Sequence, residues 1–212
     1  MKPLRILIAD DHEMVRQGLR RVIAEQPGWL ICGEVATGRQ AVERAEATKP
    51  DVVVMDFAMP ELNGMEATRQ ICAALPGTEV LILSMHESEE LVREILAAGA
   101  RGYVLKSDAG HSLVNAIKAL AEHKPYFTSK ISSLVLQGYL NPQTRESAAL
   151  TPREREIVQL VAEGRSSKKV ADVLGISVKT AETHRSNILR KLGLRSVSEL
   201  VRYAIRNKIV EA

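Results

Sequence analysis

The sequence predicts two domains of different class: a doubly wound α/β domain on a five-stranded parallel sheet, followed by an all-α domain of four helices. Short β-branched runs alternate with amphipathic stretches through the first 125 residues, whereas only helical patterns follow residue 149. Alternating strands and helices are typical of a parallel sheet with helices on both faces. A chain of 212 residues also has the length of two ordinary domains of about 100 to 150 residues each.

Five strand-then-helix units are expected in the first domain. The strand-like runs are Leu4–Ala9, Leu30–Val35, Val52–Met55, Val80–Ser84 and Gly102–Leu105. The helix-like stretches are Met14–Glu25, Gly38–Ala47, Gly64–Leu75, Ser88–Ala98 and Ala109–His123. A run such as Val52-Val53-Val54-Met55 is apolar throughout, which fits a strand that is buried on both faces of the sheet.

The alternation stops at about Tyr126, and the stretch Asn141-Pro142-Gln143-Thr144 is rich in turn-forming residues. We interpret this part of the chain as a linker that includes a short helix at Ser129–Gly138. The expected division is therefore a first domain at residues 1–125, a linker at 126–148 and a second domain at 149–212.

Four helices are expected in the second domain: Arg153–Glu163, Ser167–Leu174, Val178–Leu192 and Val197–Asn207. Thr151-Pro152-Arg153-Glu154 predicts a capping box with proline at the first helical position, and Ser196-Val197-Ser198-Glu199 repeats the pattern. The second and third helices are separated only by Gly175-Ile176-Ser177, in which Ser177 can cap the next helix. A three-residue turn with glycine between two short helices is typical of the helix-turn-helix, whose second helix enters the major groove of DNA.

Composition and charge limit the function classes. Apolar residues make up 45% and charged residues 26% of the chain, which is ordinary for a globular protein. The net charge of +3 is uneven: from Arg145 onward there are 14 Lys and Arg against 8 Asp and Glu, a net +6, whereas the first 144 residues carry −3. The basic end is therefore the candidate for binding a polyanion.

The expected compartment is the cytoplasm. Cys32 and Cys72 lie in apolar stretches without metal-ligand spacing, so we expect reduced, buried thiols. Met1-Lys2-Pro3 leads directly into a strand-like run, which is not the layout of a signal peptide. No apolar run approaches the ~20 residues of a membrane span, so no membrane association is expected.

Five polar side chains stand where the predicted strands end: Asp10, Asp11, Asp56, Ser84 and Lys106. Because functional crevices in open parallel sheets lie beyond the carboxyl ends of the strands, we expect these groups to converge on one edge. Each could alone be a solvated charge, and Asp10-Asp11 could simply cap a helix beginning near Glu13.

This set of residue types suits phosphoryl transfer to a carboxylate. Asp56 can act as the nucleophile, and Ser84 and Lys106 can bind the phosphoryl oxygens. Asp10 and Asp11 would repel each other and Asp56 unless a cation lay among them. Mg²⁺ suits such a site because it prefers oxygen ligands.

Over roughly residues 1–125 the sequence resembles the flavodoxin-like receiver domain of two-component response regulators. The resemblance rests on Asp10-Asp11, on Asp56 within Met55–Pro60 followed by Gly64, on Ser84, and on Lys106 before Ser107. It implies that a sensor histidine kinase phosphorylates Asp56 and that Ser84 and Lys106 contact the phosphoryl group.

The same resemblance implies further roles. Mg²⁺ would be held by Asp10, Asp11, Asp56 and the backbone carbonyl of Ala58. Tyr103 matches the switch aromatic, which is expected to turn inward when Ser84 moves toward the phosphoryl group; the alternative is ordinary packing of a partly buried side chain. Ala58 and His86 occupy positions that tune the lifetime of the acyl phosphate in the family.

The third helix of the second domain is amphipathic. At about 100° per residue its apolar side gathers Val178, Ala181, Ile188, Leu189 and Leu192. The opposite side gathers Lys179, Thr180, Thr183, Ser186, Asn187, Arg190 and Lys191. Cations can bind phosphates while Thr, Ser and Asn read base edges, so this side suits double-stranded DNA; the alternative is a solvated helix face.

Residues 149–207 resemble the LuxR-type helix-turn-helix domain of the NarL/FixJ response-regulator subfamily. The residues that carry this resemblance are Leu150–Glu156, Ala162–Gly164, Val170-Ala171, Leu174–Ser177, Thr180, His184, Ile188 and Lys191-Leu192. It implies that Lys179, Thr183, Ser186 and Asn187 lie nearest DNA and that Arg185 and Arg190 contact phosphates. His184 is expected to be a packing residue, because no metal-ligating partner lies near it in sequence.

Three further features bear on this domain. Ala181-Glu182 replaces the usual Val-Lys of the family, and Lys169 replaces a usual Glu. Glu182 could accept a hydrogen bond from cytosine N4 or pair with Arg185. The last helix carries a wide apolar stripe, Val197, Leu200, Val201, Ala204 and Ile205, and in the family this helix pairs two subunits.

These observations lead to one main hypothesis: a response regulator, not an enzyme, in which phosphorylation of Asp56 controls homodimerisation and DNA binding and so regulates transcription. An alternative is a transcription regulator that is independent of phosphorylation. A Mg²⁺-dependent phosphohydrolase is a third interpretation, but such enzymes commonly carry a second acid two residues after the nucleophile, where this chain has Ala58.

Overall fold

The structure is a computed structural model that describes residues 2–128, 131–133 and 150–210. The chain divides into two compact units, one containing a parallel sheet and one containing the last four helices. The predicted combination of an α/β part and an all-α part is confirmed.

The first unit is a six-stranded parallel sheet with the strand order β2-β1-β3-β4-β5-β6. Its strands are β1 Leu4–Ala9, β2 Trp29–Val35, β3 Val52–Asp56, β4 Glu79–Ser84, β5 Gly102–Leu105 and β6 Tyr126–Phe127. Its helices are α1 Glu13–Ala24, α2 Gly38–Thr48, α3 Gly64–Ala74, α4 Glu89–Ala97 and α5 Ala109–Ala121, with a 3₁₀ turn at Lys106–Asp108 before α5.

The prediction of five strands was wrong by one. Tyr126 and Phe127, expected at the start of the linker, instead pair with Gly102 and Tyr103 of β5. Two residues are too few to show the alternation that marks a strand in sequence. Of the helix expected at residues 129–138, only 131–133 are described, and these are helical; the remainder lies outside the described residues.

One face of the sheet packs against α1 and α5. Leu19 and Ile23 of α1 and Ile117 of α5 belong to the same buried cluster as Ile8 and Val54 of the central strands. Because side chains alternate between the two faces of a strand, Leu7 and Val53 point to the opposite face, where α2 packs on β1 and on α3. Both faces of the sheet are therefore covered, as the continuous apolar runs predicted.

The parallel register brings four strand ends to one edge. Ala9 pairs with Met55, and Asp56 pairs with Leu83. Ser84 pairs with Leu105. The residue that follows each strand therefore emerges at the same edge, which is the property that the sequence argument required.

The second unit consists of α6 Pro152–Ala162, α7 Ser167–Leu174, α8 Val178–Lys191 and α9 Val197–Arg206. Ile157, Leu160, Ile188 and Leu200 lie in its core and are fully buried. The turn between α7 and α8 contains Gly175 in a left-handed conformation (φ 64°), which glycine adopts without steric strain.

The helix caps follow the sequence closely. Thr151 and Glu154 form the complete capping box, and Ser177 accepts a hydrogen bond from the Thr180 N–H. Ser196 also caps α9, but the Glu199 carboxylate accepts from the N–H of Arg195 rather than from that of Ser196. The second predicted capping box is therefore formed only in part.

Both cysteines carry free thiols, as expected. The expectation that they are buried was wrong, because both side chains are only half-buried. Cys32 lies on β2, an edge strand of the sheet, and its Sγ is 3.4 Å from the Ile6 carbonyl oxygen. Burial raises the pKa of the Cys72 thiol. Among the described residues, no helix combines the length and the apolar character needed to cross a membrane.

Candidate functional site

An acidic pocket lies at the carboxyl edge of the sheet. Lys106 Nζ is 2.8 Å from Asp10 Oδ2 and 2.9 Å from Asp56 Oδ2. Asp10 is 0% exposed and Asp56 is 3% exposed. The three side chains come from residues that follow or end β1, β3 and β5, so the predicted convergence is present in the structure.

His12 joins this pocket although the sequence argument did not select it. Its backbone N–H donates to Asp10 Oδ1 at 2.8 Å, and its Nδ1 lies 2.7 Å from Asp11 Oδ1. The only sequence signal was its position directly after Asp11. The alternative of Asp10-Asp11 as a helix cap is not observed, because α1 starts after His12 and Asp10 binds an N–H that precedes the helix.

The pocket holds more negative than positive charge. Burial raises the pKa of Asp56 to about 6; the neighbouring charge of Asp10 acts in the same direction and outweighs the opposing hydrogen bond from Lys106. Burial disfavours the charged form of Lys106, yet hydrogen bonds and charge from Asp10 and Asp56 together raise its pKa. One ammonium therefore does not balance the buried carboxylates.

This charge excess fits a divalent cation. One ligand atom each from Asp10, Asp11, His12 and Asp56 can be chosen so that all lie within 4.8 Å of one another. Carboxylate oxygens at this spacing are the ligands that Mg²⁺ prefers. Ala58, expected to add a backbone carbonyl, lies half-buried in the turn after β3.

Ser84 and Tyr103 are connected through His86. The Ser84 Oγ accepts a hydrogen bond from the His86 N–H at 3.0 Å, and the Tyr103 hydroxyl donates to the His86 carbonyl oxygen at 2.7 Å. Ser84 ends β4 beside Asp56 on β3, and both Ser84 and Tyr103 are buried. Burial also raises the pKa of Tyr103. The tyrosine ring therefore points inward in this structure.

Gly64 fixes the turn behind Asp56. Its N–H donates to the Phe57 carbonyl oxygen at 2.8 Å. A Cβ added at Gly64 would lie 2.1 Å from the Asp56 carbonyl oxygen, far inside any allowed contact. Gly64 belongs to the receiver motif, but the sequence does not show why glycine is needed there. The need comes from this close backbone approach, which is seen only in the folded chain.

The polar side of α8 is largely exposed. Seven of the eight residues predicted to bind DNA are exposed, whereas Arg185 is half-buried. The exposed seven are Lys179, Thr180, Thr183, Ser186, Asn187, Arg190 and Lys191. Lys191 Nζ lies 2.6 Å from the Glu154 carboxylate of α6, so this cation already has a protein partner. That pairing joins residues 37 positions apart, and no local pattern indicates it.

The stripe on α9 is divided by the fold. Leu200 and Ala204 are fully buried in the core of the second unit, whereas Val197 is 41% and Ile205 37% exposed. His184 is half-buried, in line with a packing residue. Glu182 is exposed and makes no ion pair with Arg185 in the described part of the chain, so one of the two alternatives for Glu182 is not observed.

Two family models match the chain, one on each unit. The model described as the response regulator receiver domain matches residues 6–118, and the model of bacterial regulatory proteins of the luxR family matches residues 148–204. Together they leave only the termini and the segment between the two matches uncovered.

Several known proteins are similar to this chain over nearly its whole length. LiaR, a transcriptional regulatory protein of Bacillus subtilis (strain 168), is 36% identical over 98% of this chain and 99% of its own length. DegU of Brevibacillus brevis is 34% identical over 96% and 94%. RcsB from Salmonella enterica serovar Typhimurium, solved bound to promoter rprA in the presence of phosphomimetic BeF3−, has a TM-score of 0.58 at 26% identity and covers 94% of this chain and 97% of its own. The chain belongs to the two-component response regulators of the NarL/FixJ subfamily, with a receiver domain followed by a LuxR-family DNA-binding domain.

Proposed function

We propose that a sensor histidine kinase phosphorylates Asp56 and that the resulting aspartyl phosphate controls homodimerisation and sequence-specific binding to double-stranded DNA. The observation that carries the proposal is the pocket in which Lys106 bridges the buried carboxylates of Asp10 and Asp56 at 2.8 and 2.9 Å. A sensor histidine kinase and DNA as partners support a cytoplasmic location.

The transfer itself needs little from the chain beyond Asp56. A carboxylate oxygen of Asp56 forms a bond to phosphorus while the P–N bond of a kinase phosphohistidine breaks, and its electron pair returns to the imidazole nitrogen. The kinase supplies the phosphoryl group, so the chain is an acceptor rather than an enzyme. Lys106, already within 2.9 Å of Asp56 Oδ2, is placed to bind a phosphoryl oxygen of the product.

Asp10, Asp11 and Asp56 would hold Mg²⁺, together with the carbonyl oxygen of Ala58. When bound, the cation neutralises the carboxylates and the phosphoryl oxygens. Asp10 is kept in place by the His12 N–H and by Lys106, so its oxygens face the pocket before any ligand arrives.

The phosphoryl group would act on the chain through Ser84. The Ser84 hydroxyl can donate a hydrogen bond to a phosphoryl oxygen. Ser84 would then move away from the His86 N–H, from which its Oγ accepts a hydrogen bond in the unmodified chain. Because the Tyr103 hydroxyl donates to the carbonyl of the same His86, movement of this loop would change the position of the ring. A two-state shift of this kind is how local charge changes usually reach distant surfaces.

The output surfaces lie on the second unit. Lys179 and Arg190 would contact phosphates or guanines, while Thr183, Ser186 and Asn187 read base edges from the exposed side of α8. RcsB, which is similar to this chain over 94% of its length, has been solved bound to promoter rprA in the presence of phosphomimetic BeF3−, which supports the assignment. The exposed part of the α9 stripe, including Val197 and Ile205, would pair two subunits.

The inward position of Tyr103 favours a second candidate, DNA binding without phosphorylation. The ring is fully buried and hydrogen-bonded to His86 in the unmodified chain. If this arrangement were already the binding-competent one, phosphorylation would add little to DNA affinity.

One experiment separates the two. The chain and its Asp56→Asn variant are incubated with radiolabelled acetyl phosphate and Mg²⁺, and affinity for a duplex selected from genomic fragments is then measured with and without the donor. Label that is lost in Asp56→Asn but kept in an Asp172→Asn control, with affinity raised only in labelled protein, supports the main proposal. Equal DNA affinity of wild type and Asp56→Asn, each with and without the donor, would instead support the phosphorylation-independent alternative.

A further inference from the structure

Glu182 is an acidic side chain in the middle of the exposed side of α8. It lies three residues after Lys179 and four before Ser186, so the three residues share one side of the helix. Glu182 is exposed and has no ion-pair partner among the residues that the structure describes. A carboxylate facing DNA is repelled by the phosphates, and a hydrogen bond to a base would offset that repulsion.

The hydroxyl groups beside Glu182 are oriented by the helix. The Thr183 hydroxyl donates to the Lys179 carbonyl oxygen at 2.9 Å, and the Ser186 hydroxyl donates to the Glu182 carbonyl oxygen at 3.0 Å. Each hydroxyl has one hydrogen, and that hydrogen is used within the helix. Toward solvent, therefore, Thr183 and Ser186 present only lone pairs.

Donors stand on either side of this central group. The Asn187 Oδ1 accepts from Arg190 Nη2 at 2.8 Å, which leaves the amide NH₂ of Asn187 directed away from that bond as a donor. Arg190 and Lys179 carry only donors. Along the exposed side of α8, hydrogen-bond donors at Lys179 are therefore followed by a central group of acceptors and then by donors at Asn187 and Arg190. Glu182 is the strongest acceptor of the central group.

The major groove has few groups that can bind an acceptor. Only cytosine N4 and adenine N6 donate there, and adenine places its N7 acceptor next to N6, where it would repel a carboxylate. Cytosine N4 has one neighbouring acceptor in the groove, the O6 of the paired guanine, whereas adenine N6 lies between its own N7 and the O4 of the paired thymine. We propose that Glu182 determines sequence specificity by accepting a hydrogen bond from cytosine N4 in each half-site, an inference that rests on the DNA binding proposed above.

The test is a selection of bound duplexes from a random library, at one stated salt concentration, with the full chain in the presence of acetyl phosphate and Mg²⁺. Wild type, Glu182→Gln and Asp172→Asn are compared; Asp172 is an exposed acid on α7, so its variant removes the same charge from the same unit. The wild type should select cytosine at one position per half-site, and replacing that base pair should lower affinity at least about fivefold.

Glu182→Gln should move the preference at that position from cytosine to adenine, because a carboxamide pairs with adenine N6 and N7 together. Asp172→Asn should keep the wild-type preference. Unchanged selection by Glu182→Gln, even with higher affinity for all duplexes, overturns the inference while leaving the proposed DNA binding intact. Wild type that retains no duplex at all would overturn the proposed function itself.

Discussion

Replacing Asp56 by asparagine should stabilise the first unit at neutral pH, although it removes the proposed phosphorylation site. Burial and the charge of Asp10 raise the pKa of Asp56 from 3.8 to about 6, so the folded state favours the protonated acid. That difference corresponds to about 3 kcal/mol between the two protonation states. Asparagine resembles the protonated acid in shape and carries no charge at any pH.

The sign follows from which state binds the proton more tightly. Because the pKa of folded Asp56 lies above its ordinary value of 3.8, its contribution to stability is fully present below pH 3.8 and is lost as pH rises through about 6. The free energies of unfolding of wild type and Asp56→Asn should therefore agree near pH 4 and diverge above it. At pH 7.5 the variant should be more stable by about 3 kcal/mol.

Urea unfolding followed by tryptophan fluorescence measures this difference, since Trp29 on β2 is the single tryptophan of the chain and reports on the first unit. Saturating MgCl₂ should raise the stability of the wild type and narrow the gap, because a ligand that binds only the folded state stabilises it. Glu122→Gln, a change at an exposed pair with Lys124, serves as the control. Parallel pH profiles of wild type and Asp56→Asn, or a less stable variant at pH 7.5, would refute the reasoning.

Three further changes test the structure around the pocket and the second unit. Lys106→Met leaves Asp10 and Asp56 buried without their cation, so urea unfolding at pH 7.5 should show a loss of about 3 to 5 kcal/mol that MgCl₂ partly restores; no loss would contradict the ion pairs. Gly64→Ala forces the backbone apart at the 2.1 Å approach and should cost about 1 to 3 kcal/mol in the same assay, whereas Gly18→Ala, with open space around it in the interior of α1, should stabilise the first unit by about 0.5 to 1 kcal/mol. Thr151→Ala removes the α6 cap and should lower stability by about 1 kcal/mol, measured by circular dichroism during thermal unfolding; an unchanged melting temperature would argue against the cap.

The acidic pocket could be predicted from sequence because its geometry is a consequence of topology. In a parallel sheet every strand ends at the same edge, so locating the strands in sequence also locates Asp10, Asp56, Ser84 and Lys106 relative to one another. The helix caps at Thr151 and Ser177 could also be predicted from sequence, because capping depends on residues only three positions apart.

Other features depend on contacts that no local pattern records. His12 contacts Asp11 because its imidazole turns toward that carboxylate. Glycine is required at position 64 because the backbone there lies against the Asp56 carbonyl oxygen across the turn. The ion pair of Lys191 with Glu154 joins two helices, and the two-residue strand at Tyr126–Phe127 is defined only by its partner β5. Sequence periodicity reports which side of an element faces inward, but not which partner it meets there.

The charge balance of the pocket connects these observations to signalling. One ammonium faces two buried carboxylates, and burial together with the charge of Asp10 raises the pKa of Asp56 despite the hydrogen bond from Lys106. Adding a phosphoryl group to Asp56 would increase the excess of negative charge in the pocket, since it replaces one negative charge by nearly two. The phosphorylated pocket must then recruit donors that are bonded elsewhere, and the Ser84 hydroxyl, which ends the neighbouring strand, is the nearest candidate in the strand register. Mg²⁺ held by Asp10, Asp11 and Asp56 would offset part of the added charge, and a hydrogen bond from the Ser84 hydroxyl to a phosphoryl oxygen would be the contact that links phosphorylation to a movement of the chain.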